Sequence, residues 1–197
     1  LFLDVKESVR ARWFVVYTLV FGGLIALFFI AGVTESQVMG FSGLSRLLLM
    51  YIQVTIVILP IFILITTVRS ISGDRDNHIL EYMLSFPISL PQYYWGKIIG
   101  RFTTVFLPVF FAMMLALIIG TIKGAQIPWN IFLLYSGLLF ALCASFLGIS
   151  FLISSVVKSS EVALGLSFFV WIVLLAFIDI ALISFMMQKR LSEEVII

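Results

Sequence analysis

The sequence predicts an all-α integral membrane protein, a polytopic bundle of apolar helices that cross a lipid bilayer. Hydrophobic residues make up 62% of the chain and charged residues 11%, whereas a soluble domain carries about 25% charged residues. A soluble chain this apolar would lack the polar side chains needed to cover its surface. Five stretches of the sequence also reach the length of roughly 20 mostly apolar residues that a membrane span requires.

These five stretches predict a single transmembrane domain over residues 1–197. Their apolar residues form continuous runs and do not alternate with polar residues, which argues against strands. Polar breaks separate the spans, and the break at residues 69–97 is by far the longest. The predicted spans are residues 13–33, 47–68, 98–119, 129–156 and 162–186.

The distribution of Lys and Arg predicts how the chain is oriented. Eight of these residues would lie on one side of the membrane and four on the other, and the side richer in Lys and Arg is the cytoplasmic one. The N-terminus and residues 69–97 are therefore expected inside the cell and the C-terminal end outside. Trp13, Trp129 and the aromatic cluster at residues 93–95 lie at predicted boundaries, where interface anchors occur.

Residues 1–12 predict a short amphipathic helix on the inner membrane surface. Phe2, Val5 and Val9 fall on one helical face, with Lys6 and Arg10 beside them. A basic helix with an apolar face lies in the plane of the membrane interface.

The long break between the second and third spans predicts a helix of about three turns outside the membrane. Gly73 would break the second span, and Asp74 and Asp76 favour a helix start, where acids suit the positive end of the helix dipole. Pro87 and Pro91 would stop the helix. Two interpretations stay open: the helix rests on lipid, or its apolar face docks into a cleft of a cytoplasmic partner.

Three short motifs lie in and just after this break. They read Gly73-Asp-Arg-Asp, then Leu80-Glu-Tyr-Met-Leu-Ser-x-Pro87-Ile-Ser, then Gly96-Lys97. Together they resemble the cytoplasmic loop of ABC-type-2 transporter permeases, whose pattern is roughly Gly-Glu-Arg-Glu, Leu-Glu-x-Leu-Leu-x-x-Pro-Val-Ser and a later Gly-Lys. Within that family the sequence looks most like the Nos-type permeases, which serve copper-site maturation of nitrous oxide reductase.

The resemblance implies that this chain is not an enzyme and that a separate cytoplasmic ABC ATPase subunit drives it. ATP and Mg would bind to the ATPase, and this chain would hold no cofactor and no metal. In keeping with this, the sequence has no phosphate-binding loop, since Gly96-Lys97 is followed by Ile98. The loop helix would be the coupling helix in the ATPase cleft. The coupling residues would be Gly73, Asp74, Arg75, Asp76, Leu80, Glu81, Tyr82, Ser85 and Pro87.

The family resemblance also implies six spans, a homodimer and a location in the bacterial inner membrane. The chain starts at Leu1 and shows five spans, so we expect it to be a segment of a longer product. Residues 188–194 would open an outer loop that leads to the sixth span. A periplasmic solenoid protein would be a further partner in the copper branch, and membrane lipid would surround the spans. A net charge of +2 gives no reason to expect nucleic acid.

Asp179 lies within the predicted fifth span, where a carboxylate costs about 2.5 kcal/mol or more. Its carboxylate either contacts water or a basic residue near the membrane interface, or it lines a translocation cavity.

His78 is the only histidine, so no general base, triad or zinc set can be built around it. Neighbouring methionines point about 100° apart on a helix and form no chelating face.

Pairs of small residues four apart predict close helix packing, either within one subunit or at a homodimer seam. Proline inside a span predicts a kink. The small pairs are Gly96 with Gly100, Gly137 with Ala141, and Ala144 with Gly148, and the prolines are Pro60 and Pro108.

The sequence therefore predicts the permease subunit of an ABC transporter complex, which couples ATP hydrolysis to export or to periplasmic metal-site assembly. Copper maturation of nitrous oxide reductase is the first choice. A drug, lipid or polysaccharide exporter is the alternative, and a non-transporting membrane scaffold or sensor subunit is the rival from another class. An intramembrane enzyme ranks last, because it would need a Ser–His, paired-Asp or metal set inside the spans.

Overall fold

A computed structural model describes residues 13–31, 43–79 and 89–194 of the chain. That part of the chain is helical and contains no strand. Its helices are α1 (Trp13–Ile30), α2 (Gly43–Thr67), α3 (Arg69–Asp76), α4 (Leu90–Ile122), α5 (Trp129–Val156) and α6 (Ser160–Glu194). The predicted amphipathic helix at residues 1–12 lies outside the described residues, as do residues 80–88 of the predicted coupling helix.

Five helical stretches in the described ranges are long and apolar enough to cross a membrane. They are Trp13–Ile30, Gly43–Asp76, Leu90–Ile122, Trp129–Val156 and Ser160–Phe177. Each overlaps one predicted span, so the prediction of an all-α polytopic bundle with five visible spans is confirmed. The helices can be this apolar on all sides because lipid, and not water, surrounds them.

The expectation that Gly73 breaks the second span is wrong. Gly73 lies inside α3, which follows α2 after the single residue Val68 and runs on to Asp76. Asp74 and Asp76 consequently lie in the last turn of a helix and not at its start. Glycine weakens a helix interior by only about 1 kcal/mol, and the contacts of α3 with its neighbours outweigh this.

Two other element bounds differ from the expectation. α4 begins at Leu90 and not near Ile98, and Pro91 lies in its first turn, where the missing N–H of proline costs nothing. Residues 188–194 continue α6 as helix, so the expectation that they open an outer loop is wrong.

The core lies between α1, α2, α4 and α5. α1 packs mainly against α4, and α2 packs mainly against α5. Tyr17, Phe21 and Ile25 of α1 recur at helical spacing and are fully buried. Because lipid tails are as apolar as the core, close packing and hydrogen bonds between helices hold such a bundle together.

Two buried tyrosines supply hydrogen bonds between helices. The Tyr17 hydroxyl lies 3.0 Å from Thr66 Oγ1, which joins α1 to the end of α2. The Tyr51 hydroxyl donates to the Val109 carbonyl at 2.9 Å, which joins α2 to the middle of α4. Both bonds satisfy phenol groups that would otherwise be buried without a partner.

The predicted small-residue pairs divide into two kinds. Gly96 and Gly100 of α4 are buried in the bundle, as expected for contacts within one subunit. The two pairs in α5 are exposed on the described part of the chain, and a methyl group added at Gly137 or Gly148 would meet nothing within 4 Å. Pro60 and Pro108 lie inside α2 and α4.

Candidate functional site

The predicted coupling segment begins in residues 68–79, which we call the elbow. α2 gives way to α3 at Val68, and α3 packs against α5 and α6. α3 ends at Asp76 with Asn77 as its C-cap, and His78 adopts a left-handed backbone with φ of 56°. The His78 N–H donates to the Arg75 carbonyl at 3.2 Å, one of the two hydrogen bonds of a common helix-ending motif.

Asp74 joins the elbow to the start of α4. Its carboxylate forms an ion pair with Lys97 and accepts a hydrogen bond from the Tyr93 hydroxyl. Lys97 also donates to the Ser70 carbonyl, and its ammonium lies 5.1 Å from the centroid of the Tyr93 ring. The side chains of Lys97 and Asp74 are only 14% and 17% exposed, so water screens their attraction less than it screens a surface ion pair.

Arg75 joins the elbow to the end of α5. Its Nη2 donates to the Ser155 carbonyl at 3.3 Å, and Ser155 lies in the last turn of α5. The last carbonyls of a helix have no partner within the helix and form the negative end of its dipole. A guanidinium is well suited to that position.

Asp76 joins the elbow to the start of α6. Its Oδ2 accepts hydrogen bonds from the backbone N–H of Ser160 at 2.9 Å and from the Ser160 hydroxyl at 2.6 Å. The first N–H groups of a helix lack partners within the helix and carry partial positive charge, so a carboxylate there is stabilising.

The three charged residues of the Gly-Asp-Arg-Asp motif thus contact three different spans. Consecutive residues of an α-helix point about 100° apart, so Asp74, Arg75 and Asp76 fan out around α3 towards α4, α5 and α6 in that order. We call this set of contacts the elbow hub. It ties the segment that enters the predicted coupling helix to the ends of three spans at one end of the bundle.

Gly73, the first residue of the motif, lies beside the hub. A Cβ built at Gly73 would lie 3.6 Å from Ser160 Oγ and 3.9 Å from Arg69 Cβ, which are ordinary contact distances. The backbone of Gly73 is helical, so the described residues give no steric reason for a glycine there.

The other predicted site residues cannot be placed in the hub. Leu80, Glu81, Tyr82, Ser85 and Pro87 lie outside the described residues. Asp179 lies in α6, and its side chain is outside the described part. Among the described residues, no group of three or more His, Cys, Asp or Glu could hold a metal ion.

The predicted site residues did not include four residues of the hub, of which Lys97 belongs to the Gly96-Lys97 motif. Tyr93 belongs to an aromatic cluster and was interpreted as an interface anchor, yet it is buried in the hub. Ser155 contributes a backbone carbonyl, which no side-chain pattern reveals. Ser160 lies just before Glu161 at the start of α6, and a serine followed by an acid is a helix-start signal that could have identified it.

Comparison with known proteins supplies a family context for this geometry. The sequence profile of a family described as "ABC-2 family transporter protein" matches residues 2–196. The chain is also 22% identical over 194 residues to a protein of Stutzerimonas stutzeri named "Probable ABC transporter permease protein NosY". That alignment covers 95% of this chain and 69% of the other protein.

Proposed function

Because the chain belongs to the ABC-2 family of transporter proteins, we propose that it is a permease whose spans are moved by ATP hydrolysis on a separate ABC ATPase subunit. The elbow hub is the observation that carries this proposal. Residues 80–88, which contain the Leu80-Glu81-Tyr82 motif, follow the elbow directly in the chain. A force applied to them would reach α3 first.

The contacts of α3 make it suited to passing such a force to the bundle. Asp74, Arg75 and Asp76 each bond to the end of a different span. Charge-assisted hydrogen bonds are about twice as strong as neutral ones, and the pair of Asp74 with Lys97 is largely buried. Displacement of α3 would therefore displace α4, α5 and α6 together.

The proposal includes an orientation and a set of partners. The elbow end of the bundle would face the bacterial cytoplasm, because it is rich in Lys and Arg. Two copies of the permease would bind two ATPase subunits in the inner membrane, and ATP and Mg would bind to the ATPases. Asp179, in α6, would line the translocation path.

The favoured process is copper-site maturation of nitrous oxide reductase, with a periplasmic solenoid protein as a further partner. The motif resemblance to Nos-type permeases and the 22% identity to NosY support this choice. A drug, lipid or polysaccharide exporter is the alternative, and it would lack the solenoid partner. A scaffold or sensor subunit would share the helices but would not respond to ATP.

A capture experiment tests the proposal. The permease would be solubilised in mild detergent, and the proteins that copurify would be identified by mass spectrometry for wild type, the double variant Glu81→Ala/Tyr82→Ala and the control Lys158→Ala. Lys158 is exposed and follows α5 at the elbow end, outside the coupling motif. We expect wild type and Lys158→Ala to capture an ABC ATPase and the double variant to lose it.

The set of captured proteins also distinguishes copper-site maturation, an exporter and a scaffold or sensor subunit. A periplasmic solenoid protein in the wild-type sample would favour copper-site maturation as the function. A captured ATPase without such a protein would favour an exporter. If wild type captures no ATPase in several mild detergents, the transporter proposal is wrong and the scaffold interpretation replaces it.

A further inference from the structure

The hydroxyl of Ser154 lies between α5 and the start of α3. Its Oγ accepts hydrogen bonds from the backbone N–H groups of Ile71 and Ser72, each at 3.0 Å. More than 80 residues of sequence separate Ser154 from both donors, and its side chain is fully buried. Ser154 is the residue before Ser155, whose carbonyl Arg75 contacts.

The two N–H groups belong to the first turn of α3. The first N–H groups of a helix need partners from outside the helix, and an N-cap side chain usually supplies one. Val68 occupies the N-cap position and makes no such bond, because valine has no acceptor. Ser154, which belongs to a different span, thus supplies an acceptor to the first turn of α3 that Val68 cannot supply.

The Ser154 bonds and the Arg75 bond run in opposite directions between the same two helices. α5 supplies a hydroxyl oxygen to the N-terminal N–H groups of α3, and α3 supplies a guanidinium to a C-terminal carbonyl of α5. Each bond satisfies backbone groups that are expensive to leave unpaired inside a membrane protein. Hydrogen bonds therefore join α3 and α5 at two points, one on either side of Gly73. We call these bonds the clasp.

The bonds to Ser154 come from residues three and four positions after Val68, the single residue between α2 and α3. The Ser72 hydroxyl in turn donates to the Val68 carbonyl at 3.1 Å. A defined set of hydrogen bonds therefore holds the junction of α2 and α3.

We propose that Ser154 is a positioning residue that fixes α3 to α5, so that the elbow and the fourth span move as one body. Without the Ser154 hydroxyl, α3 keeps the Arg75 bond to α5 but loses the acceptor for its first turn, so its angle to α5 is less narrowly fixed. The role of this clasp in ATP coupling rests on the proposed function above, but the clasp itself does not.

The control for Ser154→Ala is Ser150→Ala. Ser150 lies one turn earlier in α5 and is also fully buried. Its hydroxyl, however, donates to the Phe146 carbonyl within the same helix at 2.8 Å. Both variants remove one buried hydroxyl from the same helix. Ser154 alone of the two accepts bonds from α3.

The first readout is the distance between spin labels at Ile79→Cys and Leu133→Cys, measured by pulsed electron paramagnetic resonance in nanodiscs. Both side chains are exposed, and Cys143, the one cysteine of the chain, would be replaced by alanine. Leu133 lies about 35 Å along α5 from its last residue, which is within the range of the method. The labels therefore report the angle between the elbow and the fourth span.

We expect one narrow distance distribution for the parent and for Ser150→Ala, and a broader distribution for Ser154→Ala. Equal widths for the two serine variants would overturn the proposal. If Ser154→Ala does not fold, as judged by thermal unfolding, Ser154→Val replaces it, because valine fills the space of the hydroxyl but offers no acceptor. A narrow peak in that folded variant would equally overturn the proposal.

The second readout is the rate at which a membrane-impermeant maleimide labels Gln126→Cys, exposed between α4 and α5, in the complex with the captured ATPase, with and without ATP and Mg. We expect an ATP-dependent change in the parent and in Ser150→Ala, and loss of that change in Ser154→Ala while ATP is still hydrolysed. A parent that shows no ATP-dependent change would contradict the proposed function, whereas the distance measurement would still decide the role of Ser154.

Discussion

The carboxylate of Asp76 receives both hydrogen-bond donors of Ser160, although 84 residues separate the two in the chain. Ser160 is the first residue of α6, so the last residue of α3 serves as the N-cap of α6. The segment that leads into the predicted coupling helix and the start of the fifth span are therefore one structural unit.

Replacement of Asp76 by alanine is expected to loosen the first turn of α6. The turn loses its acceptor and the negative charge that suits a helix N-terminus. Trypsin should then cleave after the exposed Lys158 several-fold faster in nanodiscs, and the midpoint of thermal unfolding should fall. Asp76→Asn keeps an acceptor oxygen and should stay closer to wild type.

Cleavage after Lys123 is the internal control for this experiment. Lys123 is exposed at the end of α4, at the opposite end of the bundle from the elbow. Its cleavage rate should be the same in wild type and in Asp76→Ala. An unchanged rate at Lys158 in Asp76→Ala would contradict the N-cap role of Asp76.

The ion pair of Asp74 with Lys97 should show a coupling free energy in a double-mutant cycle. Because both side chains are largely buried, we expect Asp74→Asn and Lys97→Gln each to destabilise the protein, with a coupling of about 1–2 kcal/mol. Unfolding of the purified permease in mixed detergent and SDS micelles would measure it. Strictly additive effects would show that the two residues do not stabilise the fold as a pair.

The sequence was sufficient to predict the five spans, because bilayer thickness sets the length of an apolar run. It was less informative about where helices end. The third span was predicted to begin near Ile98, yet α4 begins at Leu90, because hydropathy reports contact with lipid and not helix bounds. Gln92 and Lys97 are polar, but they are still helical.

The elbow hub could be predicted only in part, and Asp76 shows the reason. The rule that an acid favours a helix N-terminus is correct for Asp76, but the helix concerned is α6 and not the one that local sequence suggests. Likewise, Gly73 was expected to end a helix, whereas contacts with α5 and α6 hold α3 in place around it. Partners more than 80 residues away are not visible in a local pattern.

Alanine substitutions at Gly73 and Gly120 should have opposite effects on stability. A Cβ at Gly73 meets only ordinary contacts, and alanine favours a helix over glycine by about 1 kcal/mol, so Gly73→Ala should be neutral or stabilising. A Cβ at Gly120 would lie 2.8 Å from Leu44 Cδ1, and Leu44 is buried. Gly120→Ala should therefore cost about 1–3 kcal/mol.

Thermal unfolding of the two glycine variants in the same detergent would test this order. The reverse order, with Gly73→Ala less stable than Gly120→Ala, would show that the elbow needs a glycine for a reason other than space. That reason would then have to lie in the moving protein, for example in a second conformation of α3.

Asp179→Leu is expected to abolish activity without preventing folding, if Asp179 lines the translocation path as proposed. A carboxylate in a span is costly, so its removal should not destabilise the bundle. Complementation of nitrous oxide reductase activity in cells that lack the permease would measure function, and the amount of monodisperse protein would measure folding. Asp179→Asn separates charge from polarity, and full activity of Asp179→Leu would end this proposal.

The bond between Tyr17 and Thr66 predicts an asymmetry between two conservative substitutions. The Thr66 hydroxyl also donates to the Phe62 carbonyl at 2.7 Å, so Tyr17→Phe leaves Thr66 with a partner and should cost about 1 kcal/mol or less. Thr66→Val instead leaves the fully buried Tyr17 hydroxyl without this acceptor. An unsatisfied buried polar group costs about 1–3 kcal/mol, so Thr66→Val should unfold at the lower temperature. Equal midpoints for the two variants would mean that Tyr17 has another acceptor, and that this bond does not fix α1 to the end of α2.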